Sequence, residues 1–237
     1  MFARLSSILF SSVSSSRLIH SQMENFTKNG KKILGAALNY TDILADPNVK
    51  KPVAPVMFLK PTTSYITEGQ DIIIPEVLTL VKHEVELGVV ISKPCKNVTV
   101  EEAHKYIGGY CLGLDMSAFC ELNEARKKGF PWSMGKGFDT SNPVSRFIAL
   151  NEVNDLHNLD LYLNVNGECR QTGNTKDLIY NSFELISYLS QYMTLEPCDL
   201  IMTGTPKGAS QIYAGDVIEA GLSESGREIV KMTFNVK

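Results

Sequence analysis

Between Lys82 and Ile91 the chain reads Lys-His-Glu-Val-Glu-Leu-Gly-Val-Val-Ile, an apolar run in which two acids take alternate positions. Successive side chains of a β-strand leave opposite faces, so Glu84 and Glu86 project together while Val85, Leu87 and Val89 project the other way. Two carboxylates therefore stand side by side. A second apolar run, Ile107 to Leu114, ends on Asp115, and if the two runs pair nearby the three acids converge. Three converging carboxylates are a donor set for a hard divalent cation. The competing reading makes Glu84 and Glu86 the solvated face of a half-buried antiparallel strand.

With 237 residues, 43% of them apolar, the chain has the material for one packed domain of catalytic size. A net charge of −3 and a pI near 5.8 argue against a nucleic-acid surface, and no run reaches the length of a membrane span. A small-molecule partner is the expectation that remains. The five cysteines include no C-x-x-C pair, which suits reduced thiols in an intracellular compartment. The four histidines lack the spacing of a zinc site.

The opening residues differ from the rest. Arg4 and Arg17 are the only charges before Glu24, and serines interrupt Leu5, Ile8, Leu9, Phe10, Val13, Leu18 and Ile19. An acid-free segment with arginine and abundant serine has the composition of a mitochondrial presequence, whereas a secretory signal needs an unbroken apolar core. The expected organisation is a presequence and linker over 1–28 and a single catalytic domain over 29–237. Matrix import follows, with a cytosolic form if Met23 serves as a second start.

Along the domain, strands are expected at Lys32–Leu38, Val56–Lys60, Asp71–Pro75, Glu84–Ile91 and Ile107–Leu114. Thr99 and Glu102 form a capping-box pattern for a helix over Val100–Tyr106, and Ser117 is positioned to cap a second over Ala118–Lys128 that stops at Gly129 and Pro131. The charges of that second helix, Arg126 among them, are expected mostly to face water. Asn166-Gly167 marks a hairpin between Leu159–Val165 and Glu168–Gln171. Ser182 is expected to cap a helix whose apolar side is read as core, and Leu200–Met202 leads into a Thr-Gly-Thr-Pro turn at 203–206. The last expected strand is Glu228–Val236. Many short strands with short helices between them indicate a β-rich α+β fold.

Several pieces now stand together: Phe58-Leu59-Lys60-Pro61, His83-Glu84-Val85-Glu86-Leu87, Leu114-Asp115-Met116, Lys128-Gly129-Phe130-Pro131-Trp132, Lys136, Asn166-Gly167, Arg170-Gln171 and Thr203-Gly204-Thr205-Pro206-Lys207-Gly208. Over Lys32 to Val236 the chain resembles the fumarylacetoacetate hydrolase superfamily, and most closely its single-domain mitochondrial branch of acylpyruvases and oxaloacetate decarboxylases or tautomerases. The resemblance implies a mixed β-sandwich roll, a homodimer, and Mg²⁺ or Mn²⁺ held by Glu84, Glu86 and Asp115. It also implies that Lys136 meets the substrate or the ligand shell, and that Lys60 and Thr205 lie on the substrate side. The implied substrate is a 2-oxo or 2,4-dioxo acid, whose carboxylate and keto oxygens chelate the ion while a carbon–carbon bond breaks toward an enolate.

The chain departs from that pattern on one side of the chemistry. The branch follows its Gly-Arg-Asn-Tyr motif with a histidine and then a glutamate that activate water; here the register reads Leu38 for the arginine, Ile43 for the histidine and Asp46 for the glutamate. Asp42 and Asp46 are the acids on hand as substitute proton carriers. Phe119 and Leu122 stand where the branch places an arginine and a glutamine near the substrate. Isoleucine carries no proton, so acylpyruvate hydrolysis is the activity these changes threaten, while decarboxylation or enol–keto exchange of oxaloacetate demands less. Two other readings are a metal-binding pseudoenzyme and an enzyme for acylpyruvates with longer apolar tails.

Overall fold

In the computed structural model of the chain, residues 22–47 and 49–237 are described. The presequence expected over 1–28 falls outside the described residues as far as residue 21. The remainder of that segment is packed: Met23 and Phe26 are buried with Val90, Cys111, Cys198 and Leu200, and the Phe26 ring meets Tyr65 edge-on at 5.8 Å. Among the described residues no helix is long and apolar enough to cross a membrane.

The strands are, in chain order, β1 (Ile33–Ala37), β2 (Val56–Lys60), β3 (Tyr65–Thr67), β4 (Val81–Lys82), β5 (Val85–Ile91), β6 (Ile107–Leu114), β7 (Ser117–Ala118), β8 (Asn142–Val144), β9 (Ile148–Ala149), β10 (Asp160–Val165), β11 (Glu168–Asn174), β12 (Leu200–Met202), β13 (Val217–Glu224) and β14 (Arg227–Asn235). They form a mixed eight-stranded sheet in the order β2-β1-β12-β5-β6-β8-β3, with β9 on β6, and an antiparallel sheet β11-β10-β13-β14; β4 pairs with β7. The second sheet packs against the first where β10 meets β5 and β13 meets β6. The result is the β-rich α+β fold expected.

The core lies between the sheets. Alternation on β10 sends Leu161, Leu163 and Val165 inward, and β14 sends Val230, Met232 and Phe234. Strand β5 is buried along its whole length. Val85, Leu87 and Val89 feed the core between the sheets, while Val90 joins the separate cluster on the other face. A half-buried strand with a wet face is thereby ruled out for Glu86, which is 2% exposed.

β1 and β12 run parallel with Ile33 opposite Leu200. Asp199, fully buried, clamps that pair: Oδ1 accepts from the Lys31 and Lys32 N–H groups at 3.2 Å, and Oδ2 takes the Lys32 ammonium at 2.5 Å. Placing β12 between β1 and β5 aims the 203–206 turn at the acids.

Some local expectations give way to tertiary structure. Asp71–Pro75 is not a strand; it holds only an isolated bridge from Ile72 to Val236. The Thr99 capping box does not form, since Thr99 makes no side-chain cap bond and the helix passes into a 3₁₀ turn at His104. Asn181, not Ser182, caps the helix Ser182–Tyr192, in a true capping box with Glu184. Ser117 does not cap the helix Phe119–Lys128 either, because its hydroxyl is drawn into the site.

Candidate active site

The three acids meet because β5 and β6 are antiparallel neighbours. Val85 stands opposite Leu114 and Glu86 opposite Gly113; one step further sets Glu84 against Asp115, whose N–H donates to the Glu84 carbonyl at 2.8 Å. One carboxylate oxygen from each of Glu84, Glu86 and Asp115 lies within 4.8 Å of the others. Such a cluster of oxygen donors suits a hard cation and not a soft one.

Two lysines answer part of the charge. The Lys136 ammonium donates to Glu84 Oε2 at 2.8 Å, to Ser117 Oγ at 2.5 Å and to Asp115 Oδ2, and it sits 4.5 Å from the centre of the Phe58 ring. Gly35 makes that platform possible: a Cβ there would lie 2.1 Å from the Phe58 ring. Lys60 donates to Asp115 Oδ1 at 2.6 Å and to the Ser141 carbonyl at 2.7 Å. Burial opposes ionisation of Asp115, but Lys136 and Lys60 outweigh it and hold this carboxyl below its ordinary value. Burial likewise pulls Lys136 down, and Asp115 and Glu84 more than restore it.

Glu86 is the uncompensated member. It accepts one hydrogen bond, from the Gly204 N–H at 2.7 Å, and makes no ion pair among the described residues. Burial, reinforced by repulsion from Asp115 and Glu84, raises its pKa well above the carboxylate range. Three acids against two lysines leave Glu86 without a compensating charge, which favours its protonated form until a divalent cation supplies that charge. The residues therefore fit a divalent ion on both donor chemistry and charge.

Gly204 reaches Glu86 at φ +106°, where a side chain is strained, and a Cβ there would lie 2.9 Å from Asn39 Cβ. Gly204→Ala is expected to destabilise the protein by about 1–3 kcal/mol and to weaken cation binding, checked by thermal melting and calorimetric titration. Unchanged values for both would show that the turn is not held by this conformation. Beside it, Thr205 Oγ1 donates to the Val85 carbonyl at 2.8 Å and accepts from Gln171 Nε2 at 2.8 Å. Its proton is thus already used. Gln171 Oε1 accepts from Val85 N–H at 3.2 Å and lies 2.8 Å from His83 Nδ1. Gln171 Nε2 also donates to the Pro206 carbonyl at 2.7 Å, which fixes the amide orientation and puts the imidazole proton on Nδ1.

Above the acids opens a cavity of about 490 Å³. Glu84, Glu86, Asp115, Lys136, Thr205, Phe119 and Asp46 all line it, as do Leu38 and Ile43. Three other residues read as catalytic or substrate-binding do not. Lys60 is fully buried behind Asp115, so it braces an acid instead of reaching substrate. Leu122 is buried and covers Gly135, whose Cβ would lie 2.5 Å from its Cγ. Asp42 turns to the Lys207 N–H at 2.8 Å and tethers the 3₁₀ turn Thr41–Ala45 to the 203–208 segment.

The family model for the fumarylacetoacetate hydrolase C-terminal region matches residues 32–237. The chain belongs to the fumarylacetoacetate hydrolase family. Human oxaloacetate tautomerase FAHD1, mitochondrial, is 42% identical to this family member over 215 residues, 91% of this chain and 96% of that protein. The oxaloacetate decarboxylase, mitochondrial, of Dictyostelium discoideum is 40% identical over 202 residues, 85% and 93% of the two chains. A crystal structure of a fumarylacetoacetate hydrolase family protein from Yersinia pestis CO92 superposes with a TM-score of 0.82 at 34% identity, covering 88% and 94%.

Several further residues of this family member reach the site only through tertiary contacts. Ser117 resembled a helix cap, and only the β4–β7 pairing turns its hydroxyl to Glu84 and Lys136. Gln171 lies far from the acids in sequence, and its role as a strut depends on the hairpin packing against β5. Arg126 was grouped with water-facing charges, yet it lines the cavity. Its position seven residues after Phe119, two turns along one helix face, was the available signal.

Proposed function

We propose that this chain is a mitochondrial oxaloacetate enzyme dependent on Mg²⁺ or Mn²⁺, catalysing enol–keto exchange, with decarboxylation of the keto form at the same site. The observation that carries this reading is the pairing of a complete acid triad and Lys136 with a wall where Ile43 and Asp46 leave no histidine to activate water. The relatives named for oxaloacetate chemistry and for the mitochondrion support it. So does the acid-free, serine-rich composition of the opening residues.

Glu84, Glu86 and Asp115 would hold the ion, which when bound supplies Lewis-acid stabilisation of charge on the 2-keto oxygen. Lys136 adds a fixed positive charge on the same side. Asp46, outside the triad the one acid lining the cavity among the described residues, would carry the proton between C3 and solvent. In tautomerisation the enol O–H proton leaves and a proton arrives at C3. In decarboxylation the C3–C4 bond breaks, carbon dioxide departs, and the bonding pair passes into the enolate, which takes up a proton to give pyruvate.

The test is purified protein with Mg²⁺, following loss of the enol absorbance and release of pyruvate separately. Expected are faster enol loss than in buffer, abolition by chelator and by Glu84→Ala, and acetylpyruvate cleavage at the buffer rate. Oxaloacetate decaying at the buffer rate on both readouts sinks the proposal; retained cation and oxalate binding in that case identifies a binding protein without turnover.

A further inference from the structure

A chain of cations and aromatic rings runs along one side of the cavity. Phe58, under Lys136, lies 6.2 Å from Trp132; the Arg126 guanidinium sits 5.0 Å from the Trp132 ring and 5.6 Å from Phe119; the Lys82 ammonium sits 4.4 Å from Phe119. Lys82, Phe119 and Arg126 line the same cavity as the acid triad. Neither Lys82 nor Arg126 makes an ion pair with a carboxylate among the described residues, in contrast to Lys136 in the same cavity. Two unpaired cations thus share one aromatic ring, where they repel each other and the ring compensates only part of the charge.

The geometry points to an anion subsite at Arg126 and Lys82, which takes the far carboxylate of a 2-oxo dicarboxylate whose 2-oxo acid head lies at the triad and Lys136. This rests on the proposed function for the head, and adds the feature that selects the tail. Arg126 is held by two rings, so its planar fork is oriented before a carboxylate arrives and can grip both oxygens. Lys82 contributes a second point charge across the Phe119 face. Phe119 is then not an apolar wall for a long acyl chain but the platform that keeps two cations in place. A neutral acyl tail entering here strips water from both cations and returns nothing, so acylpyruvates are disfavoured by the same residues that favour oxaloacetate.

The experiment uses two unreactive probes with the full-length protein and Mg²⁺. Malate has an α-hydroxy acid head and a distal carboxylate; oxalate has a chelating head and no tail. Calorimetric titration of Arg126→Gln is expected to show malate affinity lowered about 10- to 100-fold and oxalate affinity changed less than about twofold. Lys82→Gln is expected to act in the same direction but more weakly, since an ammonium makes no two-point grip. Arg126→Lys is expected to recover part of the malate affinity. Malate binding in the wild type is expected to weaken with added salt while oxalate binding changes less. Equal losses for both probes, or no loss for malate, overturn the subsite, as does failure of the wild type to bind malate while it binds oxalate. If the wild type discriminates as expected but leaves oxaloacetate at its buffer decay rate, the proposed reaction fails and the subsite stands. In an active enzyme Arg126→Gln raises KM for oxaloacetate by a similar factor with a smaller change in kcat.

Discussion

Glu86→Gln is expected to leave the fold intact and to remove divalent-cation binding, lowering affinity by about 100-fold or more and turnover by about 10²–10³-fold. The reason is the position of Glu86 as the acid of the triad that, among the described residues, has no lysine partner and accepts from the Gly204 N–H. Glutamine keeps the shape and can still accept that bond, but it brings no charge. The same substitution separates two opposite effects of pH. The folded-state pKa of Glu86 is raised, so in chelator the wild type is penalised as pH climbs from the ordinary glutamate value through the raised one, where the folded protein must ionise a buried acid that the unfolded chain ionises freely. Stability from this group is therefore full at low pH and lost on the way up. Added Mg²⁺ reverses the trend, because the ion binds the carboxylate and not the acid. Thermal melting over a pH series should show the wild type falling with pH in chelator and recovering with Mg²⁺, while Glu86→Gln is flatter in chelator and indifferent to the ion. A variant that still binds Mg²⁺ with wild-type affinity would exclude Glu86 from the site.

Lys136→Met is the second large effect expected. It takes the ammonium away from Glu84, Asp115 and Ser117 at once and leaves Glu84 without a counter-charge beside Asp115, which keeps Lys60, a loss of about 3–5 kcal/mol for a broken buried pair. Mg²⁺ should restore much of this stability, since the ion supplies the missing positive charge, but not the activity, for which a fall of about 10²–10³-fold in kcat is expected. Lys136→Arg keeps the charge in a wider, planar group and should rescue melting temperature better than kcat. If Lys136→Met melts as the wild type does in chelator, the ammonium is not what holds the two acids together.

The triad was legible in the sequence because it depends on the simplest rule of a strand, alternation, and on one neighbouring run ending in an acid. The hairpin at Asn166-Gly167 was legible for a similar reason, since two-residue turns are set locally. What escaped depended on the direction of long side chains or on distant partners. Lys60 carries the same formula whether it reaches substrate or lies behind Asp115, and only the packing of β2 beside β1 settles which. Strand β13 was passed over because Ala220 and Gly221 dilute its alternation; its pairing with β10 and β14 makes it a strand. Asp71–Pro75 shows the reverse, an isoleucine-rich stretch with good local propensity and a single bridge to pair with. Phe119 and Leu122 read as one loss from the substrate wall, yet Leu122 packs inward and Phe119 carries Arg126 and Lys82.

The parallel pairing of β1 with β12 also orders events in time. Ile33 finds its neighbour at Leu200, and Glu86 receives its hydrogen bond from a residue 118 positions later. Contacts of such long span form after much of the chain is available. A polypeptide delivered from its N-terminus, by a ribosome or through an import pore, exposes all three acids long before the turn that seats Glu86 has emerged. An ion held by the proposed triad site would therefore be captured late in maturation, in whichever compartment receives the C-terminal strands.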